Sequence, residues 1–148
     1  MIQLYDPGYM IQQEVTAKQT TMTSAVPAGP TILVVDDFDD TRLLLRTWLQ
    51  RRGFRVVEAE DGLEAVQRAV TDLPDLIIMD MEMPYLDGLD ATRQIRQVQT
   101  LSNVPIVAVS AYGADQFREL ALAAGCDEYV STPFEPKALE GIIRSLMK

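Results

Sequence analysis

Leu76-Ile77-Ile78-Met79-Asp80-Met81-Glu82-Met83-Pro84-Tyr85-Leu86-Asp87-Gly88 is the stretch on which the fold turns. Its first four residues are apolar without alternation, the pattern of a strand buried on both faces. The run stops at an acid. Asp87-Gly88 then opens a helix that runs through about Gln99, with Leu89 and Ile95 inward. A buried strand, a polar loop and an amphipathic helix make one β/α unit.

The same unit recurs on both sides. Upstream, Ile32-Leu33-Val34-Val35 reads as a strand, and residues 39–52 as a helix with Leu44, Leu45, Trp48 and Leu49 on one face, closed by Gly53. Phe54 to Glu58 is a second strand. Asp61-Gly62 starts a helix with Leu63, Val66, Ala69 and Val70 inward, ended before Pro74. Downstream, Ile106-Val107-Ala108-Val109 is a fourth strand. Phe117, Leu120, Ala121 and Ala124 mark a helix stopped by Gly125. Asp127 to Ser131 is a short fifth strand, and Leu139, Ile142, Ile143 and Leu146 give a clean amphipathic last helix. Five such units imply an α/β fold, a parallel sheet with helices on both faces and right-handed crossovers. The expected architecture is the flavodoxin-like doubly wound (βα)5 fold with strand order 2-1-3-4-5. Residues 1–29 show no period, are rich in Gln and Thr, and end in Val26-Pro27-Ala28-Gly29-Pro30. They read as a flexible N-terminal extension to a domain over 30–148; Met22 as an alternative start and a short docking element around Tyr5, Tyr9, Met10 and Ile11 both stay open.

Composition removes whole classes of function. The 148 residues contain no histidine, so there is no imidazole base, no Ser–His–Asp site and no His-ligated zinc. A single cysteine, Cys126 in an Ala-Ala-Gly-Cys run, excludes an intrachain disulfide and reads as a small buried residue. Thirteen basic against twenty-two acidic residues give a net charge of −9, which argues against nucleic acid and against anionic membranes as partners. No apolar run is long enough for a membrane span and no signal pattern opens the chain, so a cytoplasmic location is the expectation.

In a doubly wound sheet, ligands bind beyond the carboxyl ends of the strands where the strand order reverses. Strand one ends in Asp36-Asp37, strand three in Asp80 and strand four in Ser110, so three carboxylates and a hydroxyl should converge there. Three like charges raise a pKa or recruit a cation, and an all-oxygen site on short loops suits Mg²⁺. A carboxylate beside such a metal can attack phosphorus and form an acyl phosphate. Loop and cap chemistry is the rival reading for Asp36, Asp37 and Asp80, and an ordinary helix cap the rival for Ser110. Asp39 and Asp40 read as helix-start acids. No Gly-rich phosphate loop of either common type is present, which disfavours nucleotide binding.

Four blocks in order resemble a response-regulator receiver domain over about residues 31–147: Val34-Val35-Asp36-Asp37, Asp80 through Gly88, Val109-Ser110-Ala111, and Tyr129-Val130-Ser131-Thr132-Pro133-Phe134. The resemblance implies that Asp80 is the phosphoacceptor, and that Asp36, Asp37, Asp80 and the backbone carbonyl of Glu82 hold Mg²⁺ (or Mn²⁺). It implies that Ser110 contacts the phosphoryl group, that Tyr129 is an aromatic switch residue, and that the Thr132–Pro133 bond is cis. One position departs: the family has a lysine where this chain has Thr132, and Lys137, five residues on, is expected to face solvent. The unliganded pocket would then hold three negative charges and no fixed counter-charge, with Trp48 too remote to report metal. The resemblance also implies a histidine kinase or histidine phosphotransfer protein as donor, since this chain has no histidine. The chain ends at Lys148 after the fifth helix, so the expectation is a single-domain regulator that is not an enzyme with its own turnover and that signals by docking to a downstream protein whose identity is unknown. The alternative is a receiver-like scaffold that docks without phosphate. A phosphohydrolase is a distant third, since it would need a lysine and an inserted cap that the sequence does not offer.

Overall fold

Register rather than strand count places the chemistry in this molecule. The computed structural model describes residues 29–83, 85–111 and 115–148; the expected extension, except for Gly29, lies outside them. Five strands, β1 (Thr31–Val35), β2 (Arg55–Ala59), β3 (Leu76–Asp80), β4 (Ile106–Ser110) and β5 (Glu128–Ser131), form one sheet in the order β2-β1-β3-β4-β5. All neighbours are parallel. Val35 pairs with both Ala59 and Met79, Asp80 with Val109, and Ser110 with Ser131. The residues just past Val35, those at Asp80 and those at Ser110 therefore stand side by side at one edge of the sheet.

Helices α1 (Asp39–Gln50), α2 (Gly62–Asp72), α3 (Gly88–Gln97), α4 (Asp115–Ala124) and α5 (Pro136–Leu146) connect the strands. Because side chains alternate along a strand, each one feeds both layers. Ile32, Val34, Ile78, Val107 and Val130 pack with Leu49, Leu139 and Ile143 of α1 and α5. Leu33, Val35, Ile77, Met79, Ile106 and Ala108 pack with Ala65, Ala69, Ala91, Ile95 and Ala121 of α2, α3 and α4. The helices of the first layer meet the sheet through large side chains, and those of the second mainly through alanines.

That contrast accounts for where the expected helix faces fail. Leu63 (54% exposed) and Val70 (48%) point outward, and Ala65 and Ala69 take the buried positions of α2. A helix lying this close to its neighbours buries its small residues and turns the large ones out. In α1 the buried stripe is Arg42, Leu45, Trp48 and Leu49, with Leu45 and Trp48 only partly covered. Leu44, five residues before Leu49 and so roughly 140° around the helix from it, is 71% exposed. Leu120 is also outward on α4. The third helix ends at Gln97, and a 3₁₀ turn over Gln99–Leu101 follows it. The first chain reversal after α1 uses Gly53 at φ +92°, where a Cβ would be strained.

Candidate functional site

Asp36, Asp37 and Asp80 each offer a carboxylate oxygen, and these oxygens lie within 4.8 Å of one another. The backbone makes this convergence. Asp36 N–H donates to the Ala59 carbonyl (3.1 Å), which continues the sheet one residue past β1. After β3, Met81 N–H donates to Val109 O (2.9 Å) and Gly88 N–H to Met81 O (3.2 Å). Gly88 is needed at this point: a Cβ there would come within 2.4 Å of the Asp80 carbonyl oxygen. Asp36 Oδ1 accepts from Phe38 N–H (2.8 Å) and Asp80 Oδ1 from Glu82 N–H (3.0 Å), the same local turn at both strand ends. Each acid is thus oriented through one oxygen, and its other oxygen remains for a ligand.

Asp80 is half-buried, and its carboxyl is pushed up to about 7. Burial is the main cause, and the charges of Asp36, Asp37 and Glu82 add to it, against the lowering effect of the Glu82 N–H. Asp36 is raised as well, first by burial. Oxygen-only donors on short loops, with their charged forms destabilised in the free protein, fit a small hard dication that keeps several of its waters, such as Mg²⁺.

Asp87 plays a different part. Its side chain accepts from Asp90 N–H (2.9 Å) and caps α3. Asp39 and Asp40 stand in the first turn of α1. Ser110 is buried, and its hydroxyl donates to Glu82 Oε2 (2.6 Å). Tyr129 is half-buried against the alanine-rich layer, its ring 6.1 Å from that of Phe117. Thr132 is exposed, its N–H donates to Ser110 O (2.8 Å), and the Thr132–Pro133 peptide bond is cis. Lys137 is exposed in the first turn of α5.

Two participants escape a reading of the sequence. Arg42 is buried against the corner. It donates to the Asp36 carbonyl (2.6 Å) and to Glu58 Oε1 (3.3 Å), and it pairs with Asp39. Burial raises the pKa of Asp36 most, and the Arg42 guanidinium acts against it from beside the corner; among the described residues, no lysine or arginine lines the cavities at the acids. The position of Arg42, three residues before Leu45 and seven before Leu49, was the available signal, because that spacing puts an arginine on the apolar stripe. The Glu82 side chain is the other; the receiver resemblance assigns a role only to its carbonyl. Beside the acids, between α1 and the start of α5, lies a cleft of about 580 Å³. Trp48 lines it together with Asp36 and Asp80. No helix among the described residues is long and apolar enough to cross a membrane.

The response regulator receiver domain family matches residues 32–144. The alkaline phosphatase synthesis transcriptional regulatory protein PhoP of Bacillus subtilis (strain 168) is 36% identical over 117 residues, 79% of this chain and 48% of that protein. The probable transcriptional regulator ycf27 of Cyanophora paradoxa is 41% identical over 117 residues, again 79% of this chain and 48% of the relative. The chain thus spans about half the length of the curated relatives it matches. Among solved structures, the receiver domain of the sensor histidine kinase PA1611 from Pseudomonas aeruginosa PAO1, with a magnesium ion coordinated in its active site cleft, superposes with a TM-score of 0.76. It is 36% identical, and the match covers 81% of this chain and 98% of that one.

Proposed function

The chain belongs to the response regulator receiver domain family of two-component systems, and from that premise we propose that Asp80 accepts a phosphoryl group from a phosphohistidine on a histidine kinase or histidine phosphotransfer protein. The observation that carries the proposal is the meeting of the Asp36, Asp37 and Asp80 carboxylates within 4.8 Å. Asp36, Asp37, Asp80 and the Glu82 carbonyl would hold Mg²⁺ or Mn²⁺. The metal, when bound, supplies positive charge to the transferring phosphoryl oxygens and to the crowded carboxylates. An Asp80 oxygen attacks phosphorus, the P–N bond to the donor imidazole breaks, and the imidazole leaves with the electron pair. The chain is the acceptor and has no turnover reaction of its own.

Ser110 is positioned to read the product. Its hydroxyl donates to Glu82 in the free protein, and a phosphoryl group on Asp80 offers strong competing acceptors. A phosphoryl group carries roughly −1.5 to −2 of charge, so Glu82 and the modified Asp80 repel while Ser110 turns to the phosphoryl oxygen. The displacement at β4 reaches Tyr129 on the neighbouring strand, and the reshaped face of α4, β5 and α5 docks the downstream protein. Incubation with acetyl phosphate and Mg²⁺ followed by intact-mass measurement tests this: wild type gains one phosphoryl group and Asp80→Asn gains none. Labelling that survives in Asp80→Asn refutes the assignment.

Thr132 favours a second reading, docking that needs no phosphate. A threonine hydroxyl brings no charge to a phosphorylated Asp80, and charge-assisted hydrogen bonds are about twice as strong as neutral ones. A partner that binds wild type and Asp80→Asn equally, with or without phosphodonor, would select the second reading. On the first, phosphodonor tightens binding, and Thr132→Lys enlarges the change.

A further inference from the structure

The connection from β1 to α1 carries two of the three clustered acids on a stretch with little apolar anchorage. Asp36 is half-buried, and residues 37–41 are all exposed. From residue 37 to residue 44, Arg42 is the only buried side chain, at 8% exposure. A buried arginine needs fixed partners, and here they come from the end of β1, from β2 and from α1. Nη1 donates to the Asp36 carbonyl (2.6 Å), Nε donates to Glu58 Oε1 (3.3 Å), and Nη2 pairs with Asp39. Glu58 is held in turn through its other oxygen, which accepts from Arg46 Nη1 (2.8 Å), and it stands opposite Val34 in the β1–β2 register. Asp36 is thereby fixed at three points. Its N–H rests on the Ala59 carbonyl, its own carbonyl accepts from Arg42, and one carboxylate oxygen accepts from Phe38 N–H.

We propose that Arg42 is a positioning residue for metal binding: its guanidinium locks the Asp36 backbone, so that the Asp36 and Asp37 carboxylates are set in place before the cation arrives. The inference rests on the reading of the three acids as a Mg²⁺ site. Charge alone would give Arg42 the opposite role. A fixed positive charge beside the acids repels a dication, so on that ground its removal would tighten Mg²⁺. Geometry works the other way. Groups that hold metal ligands in place typically contribute about 10–100-fold to metal affinity. With Arg42 gone, residues 37–44 keep no buried side chain, and the metal would have to order the loop as it binds, at a cost in affinity. The planar fork of the guanidinium serves the three partners at once; a lysine ammonium on its flexible stem keeps the charge without that geometry. The two roles differ in the sign of their effect, which separates them.

The test titrates the full chain with MgCl₂ and follows the amide NMR shifts of Phe38 and Glu82. Arg42→Met keeps a long apolar stem on the α1 stripe and removes the charge and the fork; its Mg²⁺ affinity should fall by about tenfold. Arg42→Lys keeps the charge and should still bind Mg²⁺ a few-fold more weakly than wild type. Urea unfolding of the same samples reports stability separately: a role confined to stability would lower the urea midpoint and leave the Mg²⁺ affinity where it was. A folded Arg42→Met or Arg42→Lys that binds Mg²⁺ as tightly as wild type, or more tightly, overturns the proposal, and the lysine variant decides if the methionine variant does not fold. Failure of the underlying site reading looks different. Wild type and Asp37→Asn would then bind Mg²⁺ alike, or neither would bind it, and both readings would fall.

Discussion

The two faces of the sheet meet the acidic corner in different ways. On one, α1 and α5 cover the strands with Leu49, Leu139 and Ile143, and where these helices part, a cleft opens beside Asp36 and Asp80. On the other, α2, α3 and α4 lie against the sheet through Ala65, Ala69, Ala91 and Ala121. Large side chains hold helices apart and leave room between them; alanines bring backbones close and leave little. The larger opening beside the acids, about 580 Å³, lies toward α1 and α5, and a smaller one of about 390 Å³, lined by Asp37, Glu82, Leu89 and Phe117, lies toward α3 and α4; Gly88, where a Cβ would strike the Asp80 carbonyl, belongs to the tight side.

The largest effect expected of this contrast comes from the face with large side chains. Ile143→Ala should cost about 2–5 kcal/mol in denaturant unfolding, because the hole it leaves is walled by strands that cannot collapse. On the alanine face the same kind of change should be tolerated in neither direction: Ala69→Leu, which adds atoms where α2 lies closest, should cost about 1–3 kcal/mol by overpacking. If Ala69→Leu is neutral, the tight packing of that layer is wrong.

The corner where the faces meet makes a pH-dependent prediction for the metal-free protein. Asp80 has its carboxyl pushed up to about 7 by burial and by its acidic neighbours, whereas in the unfolded chain it titrates near ~3.9. Between those values the native state holds a proton that the unfolded state has lost, so stability falls as pH rises through that window. Asp80→Asn should remove most of the slope and stabilise the metal-free protein at pH 8 by about 1–2 kcal/mol, a range reduced for screening by water around a half-exposed group. A residual slope of the same sign should remain from Asp36. Urea titrations at pH 5 and pH 8 measure both. Adding Mg²⁺ should cancel the loss at pH 8 in wild type and do far less in the variant.

The smallest effect tests the outward residues of α2. Leu63→Ser should change stability by no more than about 0.5 kcal/mol, as exposed positions do, where a Leu63 turned into the core would cost several times more.

The same contrast decides what could be read from the amino acids. Strand order, the α5 stripe and the strand-end acids were legible because they rest on continuous apolar runs and on large residues at helical spacing. The inward face of α2 was not. Hydrophobicity ranks Leu63 and Val70 above Ala65 and Ala69, and only the closeness of the packed helices reverses that order. Asp87 was separable from Asp80 because an acid before a glycine and a helix is a cap, while an acid ending an apolar run is a strand end. Arg42 stayed hidden because an arginine on an apolar stripe has meaning only once the carbonyl of Asp36 and the carboxylate of Glu58 are seen beside it. The Glu82 side chain was hidden for the same reason, since its partner Ser110 lies 28 residues away.

The most direct test of the account is the site of phosphorylation itself. Wild-type protein is phosphorylated in Mg²⁺ from a phosphohistidine donor, reduced with borohydride so that an acyl phosphate becomes homoserine, and sequenced by tandem mass spectrometry. Homoserine at position 80 alone, with labelling retained in Asp87→Asn and lost in Asp80→Asn, is the predicted result. Homoserine at Asp36, Asp37 or Asp87, or its absence from position 80 while label is incorporated, would contradict it.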